Sequence, residues 1–291
     1  MRALRIRAWV SLGLLLCGVA GVAAAAAEPA ASGQVVVVPI QGTVDTGMAH
    51  LVERAVSQAN AENASAIVLD INSPGGLVDA GESIRDALYT AKMPVIAYVD
   101  PNAFSAAALI ALSANRIVMA PGSSIGAAEP LPPNNDTKHI SAFRAEFEST
   151  ALRNHHNASV AGAMVDKNVD LPDFKRTGTI LTLNTDDARR AGIADAAAPT
   201  LDAALAQENI TGTTRTVEDY TWAEQIARFA TNPIISSLLL SIGMLGLLIE
   251  MQTMHGIAGI VGVGALALFF GSHVYAGFSN GLVIGLAVLG V

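Results

Sequence analysis

Residues Ala66 to Gly76 read Ala-Ile-Val-Leu-Asp-Ile-Asn-Ser-Pro-Gly-Gly, and the two halves of that stretch behave differently. Ala66 to Ile71 is a short, nearly unbroken apolar run, the pattern of a buried strand. Asn72 to Gly76 then turns the chain, with Pro74 fixing one φ and two glycines leaving amide N–H groups uncovered. Working outward, Val35 to Ile40 is a second, mostly β-branched run, and Met48, Leu51, Val52, Ala55 and Val56 follow it with helical spacing. On the other side, Leu77, Ala80, Ile84, Ala87 and Leu88 share a helix face, Pro94 to Val99 is a strand, Ser105 to Ala114 a helix and Arg116 to Met119 a short strand. Strand and helix alternate from residue 34 to about 205, which predicts an α/β domain of parallel strands joined by crossover helices.

The composition requires something besides that domain. Of 291 residues, 52% are hydrophobic and 14% charged, and mean hydropathy is +0.45, against roughly 25% charged in an ordinary soluble domain. Part of the chain is therefore expected in lipid. Arg2, Arg5 and Arg7, an apolar run from Ala8 to Val22 and the alanines Ala23 to Ala27 predict a signal peptide at residues 1–27, with an uncleaved anchor as the alternative. From Phe229 to Val291 the only formal charge is Glu250, and residues 233–291 are expected to form two or three membrane helices. One runs from Pro233 to Ile249 and a second from Gly256 to about Val274. A third apolar stretch, Gly281 to Val291, has eleven residues, and is either a piece of a longer span or a re-entrant or packed segment. Residues 206–232 read as a connector and a juxtamembrane helix, with Trp222 suited to the interface. The net charge of −8 gives no footprint for nucleic acid. The single cysteine, Cys17, excludes an intrachain disulfide, a Cys-based zinc site and an iron–sulfur cluster.

Three features could carry chemistry. The bare amides of Asn72 to Gly76 could hold an oxyanion or pair with an extended peptide, or they could serve only a strand-to-helix turn. Ser105 opens an apolar helix, where an amide-rich helix end favours developing negative charge and where a serine is also a common N-cap. A serine nucleophile needs a base, and among the few lysines and histidines Lys138 stands apart. It follows a turn-rich segment and begins a helix bearing Ile140, Phe143 and Phe147. An ammonium set against such a wall is desolvated and sheds its proton more easily than a solvated one. His155 and His156 read as part of a solvated helix end.

Together these motifs resemble a family. Ile71-Asn72-Ser73-Pro74-Gly75-Gly76 with Gly81, Ser105-Ala106, Pro121-Gly122-Ser123-Ser124-Ile125-Gly126-Ala127, and Leu181 to Ala188 with Gly192 and Asp195 are similar to serine peptidases of the Clp protease/crotonase superfamily. Pro233, the leucine-rich span and Glu250 resemble the start of the membrane region of its NfeD-like, stomatin-associated branch. The resemblance implies a Clp protease-like domain at 34–205 followed by the transmembrane region. It also implies Ser105 as nucleophile, Lys138 as base, and the amides of Gly76 and Ala106 as oxyanion donors, with no metal and no cofactor. Gly75, Leu77, Phe104 and Ile125 are expected to meet an extended apolar substrate.

The expected protein is a homo-oligomeric, multi-pass serine endopeptidase of the bacterial inner membrane, with its peptidase domain on the extracytoplasmic side. Its expected partner is a polypeptide, such as an apolar segment of a stomatin/prohibitin-like membrane protein. An inactive membrane scaffold that keeps the fold is the alternative, because Phe104 and Ala107 are bulkier than the residues usual beside the serine. A crotonase-like acyl-CoA enzyme is disfavoured by the signal-like N-terminus and by the lack of a basic cluster for phosphates.

Overall fold

The computed structural model describes residues 33–131, 136–217, 220–253 and 255–275. The signal peptide at 1–27, the last apolar stretch at 281–291 and positions 132–135 of the loop before Lys138 lie outside the described residues.

The α/β unit opens with β1 (Val35–Gln41), α1 (Thr46–Glu62), β2 (Ala66–Ser73), α2 (Val78–Leu88), β3 (Val95–Phe104), α3 (Ala106–Leu112), β4 (Arg116–Met119) and β5 (Ser124–Gly126). It continues with α4 (Thr137–Arg153), α5 (Ala158–Val165), β6 (Thr182–Asn184), α6 (Thr185–Arg190), β7 (Ala196–Ala197), α7 (Leu201–Gln207) and β8 (Thr214–Thr216). One eight-stranded sheet runs β6-β5-β3-β2-β1-β8, with β4 beside β3 and β7 beside β4. All pairings within it are parallel except β5 with β6.

The apolar runs of the sequence are continuous because both sheet faces are covered. Val36, Val38, Ile40, Ile67, Leu69 and Ile71 join the main core with residues of α1 to α5, while Val35, Val37, Ala66 and Val68 pack with Ala204 and Leu205 of α7 on the opposite face. β3 is longer than its apolar run suggests and divides its pairing. Ile96 to Val99 lie beside β4, and Asn102 to Phe104 lie beside β5. This carries the strand past the sheet centre to Ser105.

β8 falls within residues 206–232, which read as a connector. It pairs with β1 through Val35↔Thr214 and Val37↔Thr216. Its Thr-Arg-Thr sequence sits on a sheet edge, where no apolar alternation marks a strand.

Among the described residues three helices follow: α8 (Trp222–Thr231), α9 (Pro233–Thr253) and α10 (Ile257–Tyr275). The last two contain segments of 20 and 19 residues with mean hydropathy 2.1 and 1.9, long and apolar enough to cross a membrane. They approach through glycines: a β-carbon on Gly246 would lie 2.7 Å from Ala258 O and 2.8 Å from Gly262 Cα. Glu250 accepts from Gly256 N at 2.6 Å and Gly259 N at 3.0 Å, satisfying exposed amides at the start of α10.

Candidate active site

Ser105 joins β3 to α3 in a conformation that side chains rarely adopt, with φ 54° and ψ −125°. Holding a non-glycine residue there costs on the order of 1–3 kcal/mol and persists only where the surroundings enforce it. They do so here. Ser105 N donates to Gly126 O at 2.9 Å, Ser105 O accepts from Ala108 N at 2.9 Å, and Ala106, Ala107 and Ala108 are all fully buried behind it. The Ser105 side chain makes no capping bond and keeps partial exposure. A sharp strand-to-helix corner of this kind exposes a side chain at the end of a sheet, and it differs from an ordinary helix cap.

The turn after β2 lies against that corner. Gly75 has φ +95°, and a β-carbon there would sit 2.5 Å from Ser105 Cβ and 2.7 Å from Phe104 O. Ser73 Oγ accepts from Gly75 N at 3.1 Å and braces the turn from below. On its far edge the turn pairs with the chain after β1: Val44 N donates to Gly75 O at 3.0 Å, and Leu77 N donates to Val44 O at 2.9 Å. Because N–H and C=O groups of successive extended residues point to alternate sides, this pairing turns the Gly76 amide away from Val44. Among the described residues neither the Gly76 nor the Ala106 N–H donates a hydrogen bond. The latter is the first amide of α3, unsatisfied by helix geometry. Gly81 also permits close packing of α2 on α3, since a β-carbon there would be 3.1 Å from Ala106 Cβ.

Of the residues expected to meet substrate, Leu77 is 38% exposed and Phe104 is partly exposed, whereas Gly75 is buried, with its N–H spent on Ser73 Oγ and its C=O on Val44 N. Ile125 differs as well. It is fully buried in the main core on β5, between β3 and β6, and offers no surface to a ligand.

Lys138 stands in the first turn of α4 and is exposed. Among the described residues neither its Nζ nor Ser105 Oγ has a hydrogen-bond partner. Asn154 Nδ2, at the end of α4, donates to Leu112 O, at the end of α3, at 2.9 Å. From that tie Ser105 is about 10 Å along its helix and Lys138 about 24 Å along its own. The neighbouring His139 is committed to Asp136, whose carboxylate accepts from the His139 backbone N at 3.0 Å and meets Nδ1 at 2.9 Å. These bonds hold Asp136 below the usual carboxylate range.

Two other candidate bases are occupied. His156 is buried rather than solvated, with Nε2 3.0 Å from Ala114 O, and burial lowers its proton affinity. The chain turns inward after α4, which the polar stretch Arg153 to Asn157 conceals. Lys175 is also buried, its Nζ donating to Lys167 O and Thr179 O at 3.0 Å each, so it pins its own loop. What sequence reasoning missed is the segment Thr43 to Asp45 that frames the Gly75–Gly76 turn; a strand-to-helix loop of mixed residues carries no signal of such a pairing.

The fold agrees with known proteins. The family profile described as NfeD1b, N-terminal domain, matches residues 34–217, and the NfeD integral membrane domain matches 234–291. The chain belongs to the NfeD1b family. It is 36% identical over 262 residues to the membrane protein NfeD1b of Bacillus subtilis, covering 88% of this chain and 60% of that one. It is 28% identical over 250 residues to the membrane-bound protease PH1510 of Pyrococcus horikoshii, covering 75% of this chain and 53% of that one. The chain thus spans a little over half the length of these relatives. A solved structure of the 1510-N stomatin-specific protease from Pyrococcus horikoshii, a lysine-to-alanine mutant in complex with a substrate peptide, superposes with TM-score 0.58 at 25% identity. It covers 69% of this chain and 99% of that one. This NfeD1b-family chain is a membrane protein whose α/β domain shares the fold of the 1510-N protease structures.

Proposed function

We propose that this NfeD1b-family protein is a membrane-anchored serine endopeptidase with Ser105 as nucleophile and Lys138 as general base. The carrying observation is the strained, uncapped Ser105 corner set beside two amides that have no partner among the described residues. Lys138 Nζ takes the Ser105 proton as Oγ attacks the peptide carbonyl, and the N–H groups of Gly76 and Ala106 hold the negative oxygen. Lys138 then returns the proton to the departing amine, and water releases the acyl group from Ser105 with the same lysine as base. Structures of the 1510-N relative with a serine replaced, and with a lysine replaced and a peptide bound, support the pairing of serine with lysine. The exposed position of Lys138 in the first turn of α4 supports a site completed by movement of the α4 start when substrate or a neighbouring subunit arrives.

The substrate proposed is an extended apolar segment of a stomatin-like membrane protein, paired along Gly76 with Leu77 and Phe104 beneath its side chains. The setting proposed is the bacterial inner membrane, with a signal peptide at 1–27 and an oligomeric peptidase domain, 34–205, on the extracytoplasmic side. The test is hydrolysis of matched apolar and acidic peptides by the full chain and its Ser105→Ala form. Faster, Ser105-dependent cleavage of the apolar peptide is expected. Equal cleavage of both peptides would refute the substrate class.

A further inference from the structure

The helix that precedes the first membrane span reaches back to the turn that carries Gly76. On α8, Arg228 Nε donates to Asp45 Oδ2 at 2.7 Å and a terminal guanidinium nitrogen donates to Thr43 O at 3.3 Å. The guanidinium also stacks 4.0 Å above the Tyr220 ring, which fixes its plane. Its stem passes so close to α1 that a β-carbon on Gly47 would lie 2.7 Å from Arg228 Cγ. Four residues earlier, Glu224 meets Arg54 of α1 at 3.0 Å, a second tie between the same helices.

Between Thr43 and Asp45 sits Val44, the residue that pairs with Gly75 and Leu77. Arg228 therefore grips both neighbours of the residue that sets the register of the turn. The opposite side of α8 presents Trp222, Ile226 and Phe229, all exposed, at the spacing of one helix face that leads into α9.

We propose that Arg228 is a positioning residue: by holding Thr43 and Asp45 it keeps Val44 against Gly75–Leu77, aims the Gly76 amide, and makes the site depend on how the membrane-proximal helix sits. This rests on the peptidase reading of Ser105. Asp45 is a poor handle for a test because its Oδ1 also accepts from Met48 N at 2.9 Å and caps α1. Arg228 and Gly47 are cleaner, since alanine at position 47 favours the helix while displacing the Arg228 stem.

The experiment uses the full chain in lipid nanodiscs, comparing Arg228→Ala, Arg228→Lys and Gly47→Ala. It measures kcat and KM on an apolar peptide, and hydrogen exchange of the Val44 and Leu77 amides against core amides of α3. A mis-aimed oxyanion donor acts on the transition state, so kcat should fall about tenfold in Arg228→Ala and Gly47→Ala with KM within about twofold. Exchange at Val44 and Leu77 should quicken while α3 stays unchanged, and Arg228→Lys, which keeps the charge toward Asp45, should recover part of both. Unchanged exchange at Val44 and Leu77, or equal acceleration throughout α3, would overturn the proposal. Should the wild-type chain show no Ser105-dependent hydrolysis, the peptidase reading falls, and the exchange data alone then decide whether Arg228 holds the turn.

Discussion

Gly75 and Ser105 touch so closely that a β-carbon on the glycine would lie 2.5 Å from the serine Cβ. The contact locks the turn after β2 against the corner after β3. Gly75→Ala must therefore displace one of them, at a cost of roughly 1–3 kcal/mol given its φ of +95°. Hydrolysis should drop at least about tenfold, because a shift of the turn carries the Gly76 amide with it. Thermal unfolding and peptide hydrolysis of the variant in one detergent measure both effects.

The strain at Ser105 leads to a second expectation. Glycine adopts φ 54° without penalty, so Ser105→Gly should abolish hydrolysis yet gain up to about 1 kcal/mol of stability. Ser105→Ala keeps the strain and should not gain. Parallel melting curves distinguish them, and a Ser105→Gly form less stable than Ser105→Ala would argue that the corner is unstrained.

How far the sequence discloses this arrangement depends on the range of each interaction. β1, β2 and β4 are legible because burial on both faces writes β-branched runs directly into the chain. The Asn72–Gly76 turn and Ser105 are legible because backbone geometry demands glycine at one and a helix start at the other. β8 is hidden by its polar edge sequence, and the burial of His156 and Ile125 by pairings that local pattern does not show. The tie from Asp45 to Arg228 spans 183 residues and has no local signature at all.

A third expectation concerns the base. Only an uncharged amine accepts the serine proton, so hydrolysis should climb with pH, and Lys138→Arg should be as inactive as Lys138→Ala since a guanidinium stays charged. Initial rates from about pH 6 to 10 on the wild type and both variants provide the check. Full activity in Lys138→Arg would remove Lys138 from this role.

Stability should carry its own pH signature, from Glu82 on α2. Burial first, then the Glu146 carboxylate of α4, and more weakly Asp79, raise it to about 7, while Arg85, which is paired with Glu146, opposes the rise. A carboxyl raised in the folded state above its ordinary value of 4.5 holds a proton that the unfolded chain releases. Its contribution is therefore complete below that value and is lost as pH rises through about 7. Melting temperature should fall over this window in the wild type and fall less in Glu82→Gln. Equal slopes would show that Glu82 ionises normally.

The most direct test of the central claim is to treat the full chain in lipid with a fluorophosphonate and locate the adduct by peptide mass. The account predicts one phosphonyl group on Ser105, absent in Ser105→Ala, formed at least about tenfold more slowly in Lys138→Ala, and matched by loss of peptide hydrolysis. No adduct on Ser105, with peptide hydrolysis persisting in Ser105→Ala, would contradict it.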